Sequence, residues 1–167
     1  MELSQGTIND RMDQIEELML TEMEAANPTT LHLFYPGLYK REILMKKGML
    51  LSSRIHKTMH PFFVLTGKCS VVDEDGNQVL IQAPHCGMTE PGTRRILAIH
   101  EDCHWVTVHA VPYLTGEENG WTAEAQLELV HKIEQDLLED RKSSISGEKL
   151  YLKHRERIKD LGQKLTY

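Results

Sequence analysis

Apolar and polar positions follow three different rhythms along the chain. Near the amino end Ile8, Met12, Ile15, Met19 and Met23 recur every three or four residues, which predicts one apolar helix face. Thr7 can cap that helix and Asp10 lies near its amino end. Asn27-Pro28 ends it, because the residue before proline avoids the helical region. From Leu31 the period shortens. The runs LHLFY, LYKREILM, MLLSSRI, FFVLT, KCSVVD, QVLIQ, RRILAIH and HWVTVHAV are rich in strand formers. Pro36-Gly37, Lys47-Gly48, Gly67, Pro84, Gly87 and Pro91-Gly92 punctuate them, and Asp75-Gly76-Asn77 reads as a hairpin tip. About eight or nine short strands at this spacing predict an antiparallel sandwich or small barrel. No helix-period segment interrupts them, which argues against a parallel α/β sheet.

After Gly116 the helical rhythm returns. Thr122 is the candidate cap of a helix with Leu127, Val130, Ile133 and Leu137 on one stripe. SSISG breaks it, and Tyr151, His154, Ile158, Leu161 and Leu165 mark a second helix. The expected organisation is an N-terminal helix (1–30), a β-barrel (31–116) and a C-terminal helical extension (117–167).

The 167 residues suit one domain with helical additions, and 26% charged against 40% hydrophobic residues is a globular balance. Net charge of −6 argues against nucleic-acid and anionic-membrane binding. No apolar run is long enough to span a bilayer, and the polar start MELSQGTINDRMDQ lacks the pattern of a secretory signal. Cys69, Cys86 and Cys103 form no CxxC pair and read as reduced thiols, so the expected location is cytoplasmic. The methionine-rich first stripe offers an apolar face for a homo-oligomer, a dimer or higher.

The densest chemical signal is GMLLSSRIHKTMHPFFVLTG, where His56 and His60 stand four apart. That offset can bring both imidazoles to one ion, imidazole being a common metal ligand. In HWVTVHAV, alternation separates Trp105, Thr107 and His109 from His104, Val106 and Val108. His109 is the preferred third ligand and Glu42 the candidate carboxylate. Two histidines and a carboxylate suit Fe(II), Mn(II) or Ni(II) better than a closed structural zinc site. Lys40-Arg41, Lys46-Lys47 and Arg94-Arg95 read as solvated edge-strand charges. There is no GxSxG, P-loop, GxGxxG or HExxH.

HPFFVLTGKCSVVDEDG resembles the first motif of the cupin superfamily, the RmlC-like jelly-roll barrels. Counted back from Gly67, the family's glutamate position falls on His60, its second histidine on His56 and its first on Arg54. TEPGTRRILAIHED resembles the second motif through Gly92, with Arg95 at the histidine position and Ile99 at the asparagine position. The likeness covers about residues 38–112 and extends to small cupin-like proteins of phage and bacterial genomes. It implies a single jelly-roll barrel with a pocket open at one end. It also implies that Arg54 and Arg95 share that cavity with His56 and His60, a set able to bind a carboxylate or phosphate. Two functions are therefore expected to compete. One is a small-molecule-binding cupin with a divalent-metal site (iron, manganese, nickel or zinc). The other is a non-catalytic barrel serving binding or assembly.

Overall fold

The computed structural model describes residues 28–72 and 77–139. The N-terminal helix expected within 1–30 and the second C-terminal helix expected after SSISG (143–147) lie outside them, apart from Pro28 to Thr30. Seven strands are present: β1 (Thr29–Tyr35), β2 (Leu38–Met45), β3 (Leu50–Ser52), β4 (His60–Val72), β5 (Gln78–Gln82), β6 (His85–Thr89) and β7 (Ile96–Ala110). A 3-10 turn (Glu117–Gly120) and one α-helix, α1 (Ala123–Leu137), follow. All described pairings are antiparallel, in the order β1-β2-β7-β4-β5, with β3 joined to β7 and β6 to β4. The sheet is mainly β as expected, but this path has two ends, so the described strands do not close into a hydrogen-bonded barrel.

Two pairs of the eight expected runs fuse, leaving six, and β6 (His85–Thr89), which was not among those runs, makes the seventh. FFVLT and KCSVVD are one strand, β4, running straight through Gly67. RRILAIH and HWVTVHAV merge into β7 through Glu101-Asp102. The pairing of β4 with β7 shifts register between Val64 and Cys69. The irregularity is absorbed as a bulge inside the ladder, so neither strand ends there. The first strand also begins at Thr29, two residues inside the segment expected to be helical.

Two apolar clusters result. One joins Met45, Phe62, Val64, Ile99, Cys103 and Trp105 among others across β2, β4 and β7. The other packs Phe34 and Tyr39 of β1 and β2 against Val130, Ile133 and Leu137 of the helix. Helix α1 begins at Thr122, whose hydroxyl accepts the Ala125 N–H, and it buries Val130, Ile133 and Leu137. Leu127, the fourth member of the expected stripe, is exposed.

The 3-10 turn serves the edge of β1. Asn119 accepts the Phe34 N–H through Oδ1 at 3.0 Å and donates from Nδ2 to the Phe34 carbonyl at 2.6 Å. Its side chain thus replaces a neighbouring strand for a residue that is fully buried. Asn119→Ala leaves both backbone groups without these partners. The expected loss is about 1–3 kcal/mol, read as a lower urea midpoint with an unchanged slope. An unchanged midpoint would show that the edge is satisfied without Asn119.

Candidate functional site

Alternation along β2 and β7 decides what looks inward. On β2 the inward positions are Tyr39, Arg41, Ile43 and Met45, and their partners on β7 are His109, Thr107, Trp105 and Cys103. Of these, Arg41, Ile43, Met45, Trp105 and Thr107 line a cavity of about 150 Å³, together with His56, His60, Thr89, Thr93, Arg95 and Leu97, while His109 packs against His60 behind it. No aspartate or glutamate lines it among the described residues.

His56 lies outside the strands and is held from two sides. Gly92 N–H donates to its carbonyl at 2.8 Å. Its neighbours Ile55 and Lys57 bond Glu139 and Leu137 at the end of α1. The C-terminal helix therefore sets the position of a cavity residue. His60 opens β4 opposite Thr89, and its Nδ1 lies 3.2 Å from the Thr58 carbonyl, to which it donates. His109 Nε2 lies 3.0 Å from Thr107 Oγ1.

The three expected imidazoles do meet. Ring centroids are 4.1 Å apart for His60 and His109, 4.5 Å for His56 and His60, and 6.0 Å for His56 and His109. Burial, then mutual repulsion and the charges of Arg41 and Arg95, lowers His56 to about 4. Burial and the same neighbours His60, His56 and Arg41 lower His109 to about 3. His60 is lowered as well, burial outweighing its bond to Thr58. All three are neutral at pH 7.

Neutral imidazoles are the right donors for a transition metal, and His56 Nδ1 and His109 Nδ1 are buried without hydrogen-bond partners. The rings pack stacked or tilted against one another. Among the described residues no group of three or more histidine, cysteine or carboxylate side chains is placed to hold an ion. The cations that depress His56 would repel a metal for the same reason. As placed, these residues form no metal site among the described ones.

The other expected site residues divide. Arg95 enters the cavity, donates to Thr89 Oγ1 at 3.0 Å and lies over the Phe62 ring at 5.1 Å. Arg54 does not line it. The segment after β3 leaves the strand conformation, so alternation no longer governs, and Arg54 Nη1 stands 4.0 Å from Glu134 of α1. Glu42 also faces away, being next to Arg41 on β2. It pairs with Lys40 at 2.6 Å and His104 at 2.8 Å. Arg41, expected to be a solvated edge charge, is the residue the sequence reading missed. Its Nε is buried without a hydrogen-bond partner. The signal was available: Arg41 shares the phase of Ile43 and Met45 on β2.

No family model matches the chain, and no curated protein matches it in sequence. Among solved structures it is similar to a RmlC-like cupin family protein with a double-stranded β-helix fold from Methanocaldococcus jannaschii. That pair is 10% identical over 52% of this chain and 83% of the other, with a TM-score of 0.45. A conserved protein with a double-stranded β-helix domain from Klebsiella pneumoniae is 16% identical over 55% of this chain and 87% of its own, at 0.47. HppE, crystallised with cobalt(II) and substrate, is 13% identical over 50% of this chain and 52% of its own, at 0.43. The superfamily named in the first of these, and resembled by the motifs around Gly67 and Gly92, is the cupins.

Proposed function

We propose that the chain is a small-molecule-binding protein whose cavity takes an anion. The observation that carries this is the imbalance of charge in the cavity: Arg41 and Arg95 line it and no described carboxylate does. A guanidinium supplies a planar fork of N–H donors that matches carboxylate or phosphate oxygens. Thr89, Thr93 and Thr107 are buried there and offer hydroxyls beside it. The neutral histidines add hydrogen-bonding nitrogens without adding charge.

Thermal unfolding in formate, acetate or phosphate, against chloride at equal ionic strength, tests the reading. An anion at 100 times its Kd adds about 2.7 kcal/mol, a rise in Tm of roughly 5–10 °C. Arg41→Gln and Arg95→Gln are expected to abolish the rise while each variant still unfolds cooperatively. No saturable rise with any of the three anions would sink the proposal. Elemental analysis of protein purified without chelator belongs beside it. Near-stoichiometric iron, manganese, nickel or zinc that is lost on His56→Ala would replace the anion reading with a metal-dependent one.

A further inference from the structure

The cavity is not uniform along its length, and the strand register gives it an axis. At one level Arg41 pairs with Thr107, and at the next Ile43 pairs with Trp105. Met45 follows, paired with Cys103 at the far level. Leu51 and Leu97, also partners, line the same cavity. The polar level collects the other polar groups. His60 pairs with Thr89, Phe62 pairs with Thr107, and Arg95 reaches Thr89. One end therefore presents guanidiniums, hydroxyls and neutral imidazoles, and the other is mainly aliphatic side chains and an indole, with Ser52 beside Leu51.

Resting on the anion reading above, we infer that the ligand is an amphipathic monocarboxylate of about benzoate or branched short-chain size. Its carboxylate lies at Arg41 and Arg95 and its apolar body points toward Met45, Leu51 and Leu97. Size supports this choice. The cavity measures about 150 Å³, and an engineered apolar cavity of about that volume holds benzene. A sugar phosphate or nucleotide would leave hydroxyls against Ile43, Met45 and Leu97 without partners. A bare inorganic anion would leave the apolar end unused.

The test is isothermal titration of the full chain with benzoate, isovalerate, formate, inorganic phosphate and benzyl alcohol. Benzoate and isovalerate are expected to bind at least about tenfold more tightly than formate, because the body buries apolar surface. Benzyl alcohol, which has the body without the charge, is expected to bind at least about tenfold more weakly than benzoate. Leu51→Phe fills the apolar end at a partly buried position. It is expected to remove the benzoate advantage and leave formate binding unchanged. Benzoate binding no tighter than formate, phosphate binding tightest of all, or Leu51→Phe sparing benzoate would each overturn the inference and leave the anion reading standing. Absence of binding by every anion would remove both.

Discussion

Between pH 6.5 and pH 4.5 the protein is expected to lose about 5 kcal/mol of stability, which is the whole margin of many domains. The cause is the buried imidazole cluster. His56 and His109 titrate near 4 and near 3 in the fold, against 6.5 in an unfolded chain. Their folded values are lowered, so the unfolded chain binds more protons throughout this interval. Stability is therefore full above pH 6.5 and falls as pH drops toward the folded values. Each such group contributes about 1.4 kcal/mol per pH unit, and two acting together give roughly 2.7. His32, lowered to about 4 by burial and by Arg41, steepens the slope further. Paired carboxylates do not confuse the window. Glu42, held below its ordinary value of 4.5 by its bond to Lys40, and Asp102, held below 3.8 by Lys46, lose their contribution only at lower pH. Urea midpoints at pH 7.5, 6.5, 5.5 and 4.5 measure the slope directly. His109→Gln is expected to flatten it by about one proton. Equal stability at pH 7.5 and pH 5 would show that the cluster is not held neutral by the fold. A carboxylate bound at Arg41 would sit close to the same rings and favour their protonated forms, so saturating anion is expected to soften the loss.

Much of this architecture was legible because local chemistry and tertiary structure agree. Gly37, at φ +73°, turns β1 into β2 where Pro36-Gly37 marked a break. Thr122 caps α1, and three of the four stripe residues are buried. The alternation Trp105, Thr107, His109 separated one face of β7 correctly: Trp105 and Thr107 line the cavity and His109 packs on its His60. His56 and His60 were found by spacing, and Arg95 by counting along the motif from Gly92. What was not legible needed information that spacing does not carry. Arg54 was placed by analogy on a strand that in this chain ends at Ser52, so its side chain turns to Glu134. Glu42 and Arg41 are adjacent on β2 and both half-buried, and it is the phase shared with Ile43 and Met45 that puts Arg41, not Glu42, on the cavity. An inward arginine among aliphatic neighbours breaks the hydrophobic pattern, and such breaks concentrate at functional sites.

Gly67→Ala is expected to be the most damaging alanine substitution among the described glycines. Gly67 holds φ +88°, a conformation that L side chains adopt only with strain. A Cβ there would collide with the Asp102 carbonyl oxygen and stand 2.8 Å from Cys103 Cα. Both obstacles are backbone, so no side chain can rotate away. Relief requires β4 and β7, the central pair of the sheet, to separate at the bulge that joins the two halves of β4. Cys69 and Cys103, buried on either side of that point, would move with them. Gly48 supplies the control. It has nearly the same φ, +87°, but nothing within 4 Å of its Cβ position. Gly48→Ala therefore carries only the conformational strain, about 1 kcal/mol. Gly67→Ala carries that strain and the steric conflict, for a loss of about 4 kcal/mol or more and a fall in Tm of at least about 10 °C. Paired denaturation curves isolate the close approach, because strain common to both glycines cancels. If the two variants lose the same amount, β4 and β7 are not in contact at Gly67. The motif glycine from which the resemblance was counted would then mark a turn rather than a crossing of two strands.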